Sequence, residues 1–486
     1  MTTEQAAVPL GIPQHPPHAG ATHSHWPTFW VASIAVFLVS LDTTMLFAAF
    51  DALRHAFGDA SAARLSWVLN AYTVVYAAML IPAGGLADAH GRKRMFMLGV
   101  TLFLAASAAC GLAGSVDALI AARVVQAIGA ALLTPASLSI VLAAFPQSKR
   151  SVVVSLWGAV GALAAAVGPS LGSFVVDSVG WPWAFYINLP LGALALWRGA
   201  SILNESVKPS ERRRIDVVGM ALLMVTVGAI ALAIVESESP AWRRSELAVV
   251  AATGIVAGIG FVLWARRASA PLVDLALFRH RTYSFVNLAT LAFGTAFSMM
   301  FLAFFFYMTG TWHFSLPLAG LAVTPGPLLV MPTAIVTGRL AARLGHRPFL
   351  VGGGLIYACS SLWFMLVPGT TPDYLHHWLP GLLLSGIGVG MVLPSLSAAA
   401  VNRLPAAHYA VGSAVNQATR QIGSVMGVAI TIALLGHAGL QRVDFNWLYG
   451  IHIALSLLTA LLCLPVNTRP VAPGGAATST GLSSAR

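Results

Sequence analysis

Long apolar blocks dominate this chain and set the strongest limit on what it can fold into. Of its 486 residues, 57% are hydrophobic and only 9% are charged. Most of the sequence falls into blocks of roughly 18 to 25 apolar residues, the length that crosses a bilayer as a helix. The blocks are continuously apolar, whereas barrel strands would alternate at every second residue. The sequence therefore predicts an all-α integral membrane protein with fourteen spans. These lie near residues 28–50, 65–86, 95–114, 118–141, 151–176, 182–198, 215–235, 244–265, 282–308, 316–338, 347–367, 378–400, 411–436 and 447–465.

The basic residues indicate the orientation of these spans. The formal net charge is +11, which taken alone would be compatible with nucleic-acid binding. With both termini placed in the cytoplasm, however, twenty of the 27 Lys and Arg residues fall in cytoplasmic connections, and only Arg123 and Arg420 fall inside spans. This is the distribution that the positive-inside rule describes. We therefore expect a multi-pass protein of the inner or cytoplasmic membrane, with cytoplasmic termini and no nucleic-acid partner.

An internal duplication divides the chain in two. The basic run at 84–94 reappears in weaker form 254 residues later, at 338–347. A second set of Ile-Gly and Pro positions within 128–146 recurs with the same internal spacing within 387–405, now at an offset of 259. Each run joins two apolar blocks as a short basic hairpin. The repeat predicts the two-lobed organisation of many secondary transporters.

The duplication also predicts the domain boundaries. If each lobe contains six helices, spans 7 and 8 form an extra hairpin between the lobes. The predicted parts are a disordered cytoplasmic tail at 1–27, a first lobe at 28–200, a linker with two extra transmembrane helices at 201–281, a second lobe at 282–468, and a disordered cytoplasmic tail at 469–486. Transition-metal binding by the four histidines of the first tail is a less favoured alternative to simple disorder.

Three formal charges lie clearly inside spans: Asp42, Arg123 and Arg420. A charge is costly within a bilayer, so each should face a polar cavity or a partner, and such residues usually have a function. One acid against two arginines does not make an obvious trap for multivalent cations. We therefore expect neutral, monocationic, zwitterionic or anionic amphiphiles as substrates in preference to dications.

Several motifs carry a resemblance to a known family. Gly84, Asp88, Gly91, Arg92 and Lys93 form a hairpin signature between spans 2 and 3, although Ala89 stands where a basic residue is usual. Span 5 contains the run Gly168-Pro169-Ser170-Leu171-Gly172. The string from Trp181 to Gly192 is the most specific, and Asn188 with Pro190 suggests a polar break in span 6. Together these residues resemble the 14-helix drug:proton antiporters of the major facilitator superfamily over about residues 30–465.

The resemblance implies a fold and a mechanism. The fold would be a major facilitator fold of two six-helix lobes plus two central helices. The function would be proton-coupled antiport that exports small amphiphilic compounds by alternating access. Asp42 would carry the proton and Arg123 would help to expel it. The alternatives are a structural ion-pair role for Asp42 and a static carbonyl-capping role for Arg123.

Further residues receive expected roles. The conformational motif would be Gly84, Asp88, Gly91, Arg92, Lys93, Gly168, Pro169 and Gly172. The substrate-cavity candidates are Asn70, Tyr72, Tyr76, Gln126, Trp157, Asn287, Tyr307, Asn416, Gln417 and Arg420. Aromatic surface with few polar groups suits adaptable binding of apolar molecules.

Other classes of protein are not favoured. The sequence has no paired membrane acids and no HExxH arrangement, so we expect no enzyme, no catalytic residue, no metal site and no cofactor apart from the proton as coupling ion. Sodium coupling is the less favoured alternative. The expected partners are a small amphiphilic substrate, the lipid bilayer and, in a cell with an outer membrane, a periplasmic adaptor protein; the chain is expected to be monomeric. Dedicated export of one endogenous metabolite or siderophore remains the alternative function.

Overall fold

The computed structural model describes residues 25–146, 150–205, 216–237, 242–402, 404, 409–436 and 441–468. Both predicted tails lie almost entirely outside these ranges. All fourteen apolar blocks fall on helices. In chain order these helices are α1 (Trp26–Ala56), α2 (Ala62–His90), α3 (Arg92–Gly111), α4 (Val116–Ala144), α5 (Arg150–Val179), α6 (Trp183–Tyr186), α7 (Asn188–Ile202), α8 (Val217–Val235), α9 (Arg244–Arg267), α10 (Arg281–Phe305), α11 (Leu316–Val323), α12 (Pro325–Leu344), α13 (Arg347–Leu366), α14 (Leu379–Asn402), α15 (Tyr409–Leu435) and α16 (Arg442–Cys463).

Some spans are built from two helical pieces. Thirteen stretches of the described chain are long and apolar enough to cross a membrane, and the sixth block is the exception. It breaks at Ile187, where the short α6 gives way to the 15-residue α7. Span 10 is likewise divided into α11 and α12 at Thr324, before Pro325, because proline cannot donate the next helical hydrogen bond. The break at Ile187 corresponds to the polar break predicted in span 6.

The duplication is visible as matched helix crossings. In the first half, α3 crosses α4 so closely that a Cβ on Gly99 would lie 2.9 Å from the Gly129 carbonyl oxygen. In the second half, α13 crosses α14 at Gly353 and Gly388, where a Cβ on Gly388 would lie 3.1 Å from the Gly353 carbonyl oxygen. Small residues at these crossings allow backbones to approach, which is how helices pack in lipid.

The two halves of the chain meet along three seams. Helix α1 packs on α10 through ring pairs, with Phe47 and Phe301 centroids 5.5 Å apart. Helix α5 meets α11 at Gly320, where an added Cβ would lie 2.6 Å from the Pro169 carbonyl oxygen. Helix α2 packs along α15. These seams bring α1, α2 and α5 of the first half against the second half.

The extra hairpin, α8 and α9, lies beside the α2–α15 seam. Helix α8 contacts both α2 and α15, while α9 packs on α8 through Gly254 and Gly258. The outer face of α9 remains exposed, as at Val256, and suits contact with lipid. Asp216 closes the hairpin because its carboxylate accepts hydrogen bonds from Gly219 N at 2.8 Å and from the Trp264 indole at 2.7 Å.

Candidate functional site

Two of the three predicted membrane charges form a buried ion pair. The Arg123 Nη1 atom of α4 lies 2.6 Å from Asp42 Oδ2 of α1, and both side chains are only 1% exposed. Arg123 also donates from Nε to the Val68 carbonyl oxygen of α2 at 3.0 Å. Its guanidinium lies over the Tyr72 ring, 3.9 Å from the ring centre. The pair therefore joins α1, α2 and α4 in the interior of the first half.

Amide and hydroxyl groups complete the surroundings of the carboxylate. Asp42 Oδ1 accepts hydrogen bonds from the Gln126 amide at 2.9 Å and from the Asn188 amide at 3.0 Å. Both amides also reach the Ser107 hydroxyl of α3, at 2.7 and 3.2 Å respectively. Gln126, Asn188 and Ser107 are completely buried. We call Asp42, Arg123, Gln126, Asn188 and Ser107 the Asp42 network; it draws on four helices, α1, α3, α4 and α7.

Every described group that contacts the Asp42 carboxylate is a hydrogen-bond donor. They are one guanidinium and two amides. Removing the charge from one partner of a buried ion pair is costly, about 3–5 kcal/mol when it is done by mutation, because the other charge is left uncompensated. Proton binding at Asp42 would therefore change the forces on Arg123 and on every helix that the network joins.

The helix that carries Asp42 is also the one against which the predicted span-5 motif packs. A Cβ on Gly172 would lie 3.0 Å from the Met45 Cα atom, and one on Gly168 would collide with Thr44 Oγ1. On another side of α5, the Pro169 carbonyl oxygen and the Ser173 side chain face Gly320 of α11. Helix α5 therefore lies between the helix of the ion pair and the second half of the protein.

A related pair of polar residues occurs in the second half. Ser361 of α13 stands 254 positions after Ser107, the offset of the basic hairpins. Its hydroxyl lies 2.6 Å from the Nδ1 atom of His452 in α16, as the Ser107 hydroxyl contacts Asn188 of α7. Ser361 and His452 are fully buried. His452 thus takes the place of Asn188, but among the described residues this second pair has no acid.

The third membrane charge, Arg420 of α15, lies between the two halves. Its Nε atom is 3.4 Å from the Gln417 side-chain oxygen. On the opposite side of the seam, Tyr76 of α2 lies close to the side chains of Gln417 and Arg420. The Tyr76 hydroxyl also lies 3.2 Å from Thr134 Oγ1. Of the predicted cavity residues, Tyr76, Gln417 and Arg420 are thus brought together.

Other cavity candidates pack inside one half. Asn287 and Asn416 are hydrogen-bonded at 3.2 Å and join α10 to α15. The Tyr307 hydroxyl donates to the Gly369 carbonyl oxygen at 3.0 Å within an aromatic cluster. The Trp157 indole donates to Ser137 Oγ at 2.9 Å. Asn70 of α2 is fully buried, and neither of its amide atoms has a partner in the described part of the chain.

The basic hairpin between α2 and α3 turns at Gly91, whose φ is +107°. This conformation suits glycine, which has no Cβ. A Cβ on Gly91 would in addition lie 2.6 Å from the Glu205 carboxylate. Glu205 follows α7 and accepts hydrogen bonds from Lys93 N and Arg94 N, both at 3.1 Å. A carboxylate at this position accepts hydrogen bonds from first-turn amides that have no partner within the helix, and its negative charge is stabilised by the positive end of the helix dipole.

The remaining hairpin residues have separate contacts. The Lys93 ammonium donates to the Ala200 carbonyl oxygen at 2.7 Å, and Arg92 Nη1 to that of Ser139 at 3.4 Å. A Cβ on Gly84 would make only an ordinary contact with Pro135, at 3.9 Å. The side chain of Asp88 lies outside what the structure describes, and so does the predicted Asp88–Arg92 ion pair.

The second hairpin repeats this arrangement with weaker chemistry. It turns at Gly345, with φ of +80°, and Thr468, which follows α16 as Glu205 follows α7, accepts a hydrogen bond from His346 N at 2.8 Å. The Thr468 hydroxyl also lies 3.0 Å from His346 Nδ1. Burial lowers the pKa of His346 below its ordinary value, which favours a neutral ring beside the helix start.

Sequence reasoning missed three residues of these sites. Ser107 and Glu205 were not singled out, and Asn188 was assigned only to a helix break. Ser107 could have been found from the repeat, because a serine recurs at its 254-residue offset. Glu205 carries a weaker signal, an acid among the basic residues that follow span 6. The contact of Asn188 with Asp42 depends on tertiary packing.

These observations define a class of protein. Two related sets of membrane helices meet with the cation Arg420 between them and with a buried ion pair inside the first set, an arrangement typical of a membrane transporter and not of an enzyme. The chain belongs to the Major Facilitator Superfamily, whose family model matches residues 32–428 and 286–484. It is a multi-pass membrane protein with two lobes of six spans each and two extra helices, α8 and α9. The first lobe is α1–α7, in which α6 and α7 form one span, and the second is α10–α16, in which α11 and α12 form one span. The predicted family and fold are confirmed.

Named relatives share most of the chain. The multidrug resistance protein Stp of Mycobacterium tuberculosis is 31% identical over 84% of this chain and 75% of its own length. The tetracenomycin C resistance and export protein of Streptomyces glaucescens is 31% identical over 90% of this chain and 80% of its own length. The crystal structure of a D-xylose–proton symporter covers 92% of this chain and 98% of that chain, with a TM-score of 0.66 and 15% identity, a likeness of fold alone.

Proposed function

We propose that this protein is a proton-coupled antiporter that exports small amphiphilic compounds, as in multidrug efflux, by alternating access. It would work in the inner or cytoplasmic membrane with both termini in the cytoplasm. The names of its relatives, which include a multidrug resistance protein and an antibiotic resistance and export protein, support drug efflux. The buried ion pair of Asp42 and Arg123 is the observation that supports proton coupling.

The Asp42 network supplies a chemical basis for coupling. With Asp42 ionised, Arg123, Gln126 and Asn188 donate to it and hold α1, α4 and α7 together. A proton on Asp42 removes the charge that Arg123 neutralises, so the network loosens. Release of the proton restores it. Two states with different helix contacts are what a coupled transporter needs, because an ion shifts a conformational equilibrium only if it binds the two states with different affinities.

The packing of α5 offers a path for this change. Helix α1 presents Asp42 to the network and Thr44 and Met45 to the glycines of α5, and the same α5 contacts Gly320 of α11. A shift of α1 on proton binding would therefore reach the second lobe by two routes: directly through the Phe47–Phe301 contact with α10, and through α5 to α11. Tightly packed glycine seams resist small adjustments, and this favours movement of whole lobes.

The test is proton-coupled transport in inside-out vesicles with an imposed pH gradient. Ethidium, chloramphenicol and an aromatic carboxylate would be added in turn, as cationic, neutral and anionic amphiphiles. We expect more than one of them to dissipate the gradient with wild-type protein and none with Asp42→Asn. Asp51→Asn, on the same helix outside the Asp42 network, is the matched control. Dissipation by a single compound would favour a dedicated metabolite or siderophore exporter instead.

A second variant separates coupling from stability. Asp42→Asn alone leaves Arg123 unbalanced and can lower the yield of folded protein. Asp42→Asn combined with Arg123→Gln removes both charges. If the ion pair were only structural, this neutral double variant would recover proton-driven export. We expect it to retain exchange of labelled for unlabelled substrate and to lack proton-driven export.

A further inference from the structure

The second lobe carries a membrane cation that no described acid neutralises. In the first lobe, Arg123 is paired with Asp42. In the second, the only hydrogen bond of the Arg420 guanidinium to a described residue is the long one from Nε to Gln417. Its two Nη groups have no hydrogen-bond partner in the part of the chain that the structure covers. An unpaired charge within a membrane is costly, and such residues usually serve a ligand or a pathway.

The position of Arg420 on its helix indicates a cavity. Ser413, Gln417 and Arg420 follow one another at helical spacing along α15, and all three are at least partly exposed. The other face of α15 is buried against α10, where a Cβ on Gly423 would lie 2.5 Å from the Leu291 carbonyl oxygen. A polar, accessible stripe that includes an arginine does not suit lipid. It suits a water-filled space between the lobes.

The surroundings of Arg420 hold its backbone in place and leave its donors free. A Cβ on Gly294 of α10 would lie 2.7 Å from the Arg420 carbonyl oxygen, so the backbone is closely packed. Across the seam, α2 packs along α15 and places Tyr76 of the first lobe close to Gln417 and Arg420. The guanidinium therefore lies where groups of both lobes converge, as the substrate sites of two-lobed transporters do.

We propose that Arg420 binds a carboxylate of the transported compound, an inference that rests on the proposed export function and gives the export site a preference for small amphiphiles with one anionic group, including zwitterions, over neutral and cationic ones. The two unpartnered Nη groups form a planar fork that matches the two oxygens of a carboxylate. Gln417, one turn earlier on α15, places a polar group next to that fork. The bound carboxylate would neutralise Arg420, which no described acid contacts.

The experiment compares acids with their methyl esters on purified protein. Rhodamine 110 carries a free carboxylate, and rhodamine 123 is its methyl ester; 2-naphthoic acid and methyl 2-naphthoate form a second, smaller pair. Binding is measured by equilibrium dialysis against wild type, Arg420→Gln, Arg420→Lys and the exposed-arginine control Arg198→Gln. We expect at least one acid to bind wild type roughly ten-fold more tightly than its ester, a preference that one charge-assisted hydrogen-bonded pair can supply.

The variants decide between an anion site and a structural arginine. Arg420→Gln should abolish the preference for the acid and leave ester binding unchanged, while Arg420→Lys should keep part of it and Arg198→Gln all of it. Equal binding of acids and esters to wild type, or an equal loss of both in Arg420→Gln, overturns the proposal. The vesicle assay keeps the two proposals apart: if the acid binds through Arg420 but wild-type vesicles show no proton-coupled export, the export function fails and the anion site stands.

Discussion

The Asn188 amide donates a hydrogen bond of 3.0 Å to Asp42 Oδ1 across 146 positions of sequence. Asn188 is the first residue of α7, directly after the break at Ile187. The interruption of span 6 therefore places a polar side chain beside the only acid of the Asp42 network. Since the Ser107 hydroxyl contacts the same amide, the orientation of Asn188 is fixed from two sides.

Removal of this amide should impair coupling. Asn188→Ala takes away one of three donors to the carboxylate, and a hydrogen bond to a charged group contributes about 1.5–3 kcal/mol. We expect proton-driven export to fall roughly ten-fold or more, with substrate binding retained. The measurement is the initial export rate in inside-out vesicles. Asn402→Ala, at an exposed position, should match wild type, and an unimpaired Asn188→Ala would exclude a role for this contact.

Two neighbouring glycines should respond in opposite ways to the same substitution. Gly91 adopts a φ of +107° and its Cβ would meet Glu205, so Gly91→Ala should cost about 1–3 kcal/mol. Gly85 lies inside α2 with nothing within 4 Å of an added Cβ. Gly85→Ala should therefore be neutral or stabilising by up to about 1 kcal/mol. Thermal unfolding in detergent, followed by tryptophan fluorescence, compares them; equal melting temperatures would contradict the account of the hairpin.

Gly320 is predicted to control the approach of the lobes. A Cβ there would lie 2.6 Å from the backbone oxygen of Pro169, and backbone cannot move aside as a side chain can. Gly320→Ala should separate α5 from α11. Pulsed EPR can measure the distance between spin labels at Ser178 of α5 and Leu318 of α11, both exposed. In Gly320→Ala a smaller fraction of molecules than in wild type should have the two labels close together. Gly338→Ala, where an added Cβ meets nothing within 4 Å, should leave the distances unchanged.

His452 is predicted to support structure and not to carry the transported proton. His452→Asn keeps a group that can hydrogen-bond to Ser361, as Asn188 does to Ser107. His452→Leu should lose about 1–3 kcal/mol of stability. His452→Asn should retain most of that stability. The pH profile of export by His452→Asn should coincide with that of wild type, since the Asp42 network is intact. A displaced profile would identify His452 as a second proton site.

Much of the fold could be predicted because bilayer thickness sets helix length. All fourteen apolar blocks became helices, but boundaries failed where polar residues continue a helix. Span 14 was expected from residue 447, whereas α16 begins at Arg442 and its start is stabilised by the Asp444 carboxylate, which accepts from Gln441 N at 2.8 Å. A polar first turn at a membrane surface looks like a loop to any criterion based on hydrophobicity.

The candidate site was only partly predictable, for a different reason. The cost of charge in lipid singles out Asp42, Arg123 and Arg420 without any structure. Which charges pair depends on the packing of helices far apart in sequence, and nothing in the chain indicates that Asn188 meets Asp42. Likewise, the sequence predicts that Asn416 lines the substrate cavity, whereas in the structure its amide joins α15 to α10 through Asn287.

The central claim is that Asp42 exchanges a proton against the exported compound. The most direct test is proton release when a compound exported in the vesicle assay is added to purified protein in weakly buffered detergent solution, followed with a pH-indicator dye. The account predicts release by wild type and by Asp51→Asn, and none by Asp42→Asn although the compound still binds. Equal release from Asp42→Asn, or binding to wild type without any release, would contradict it.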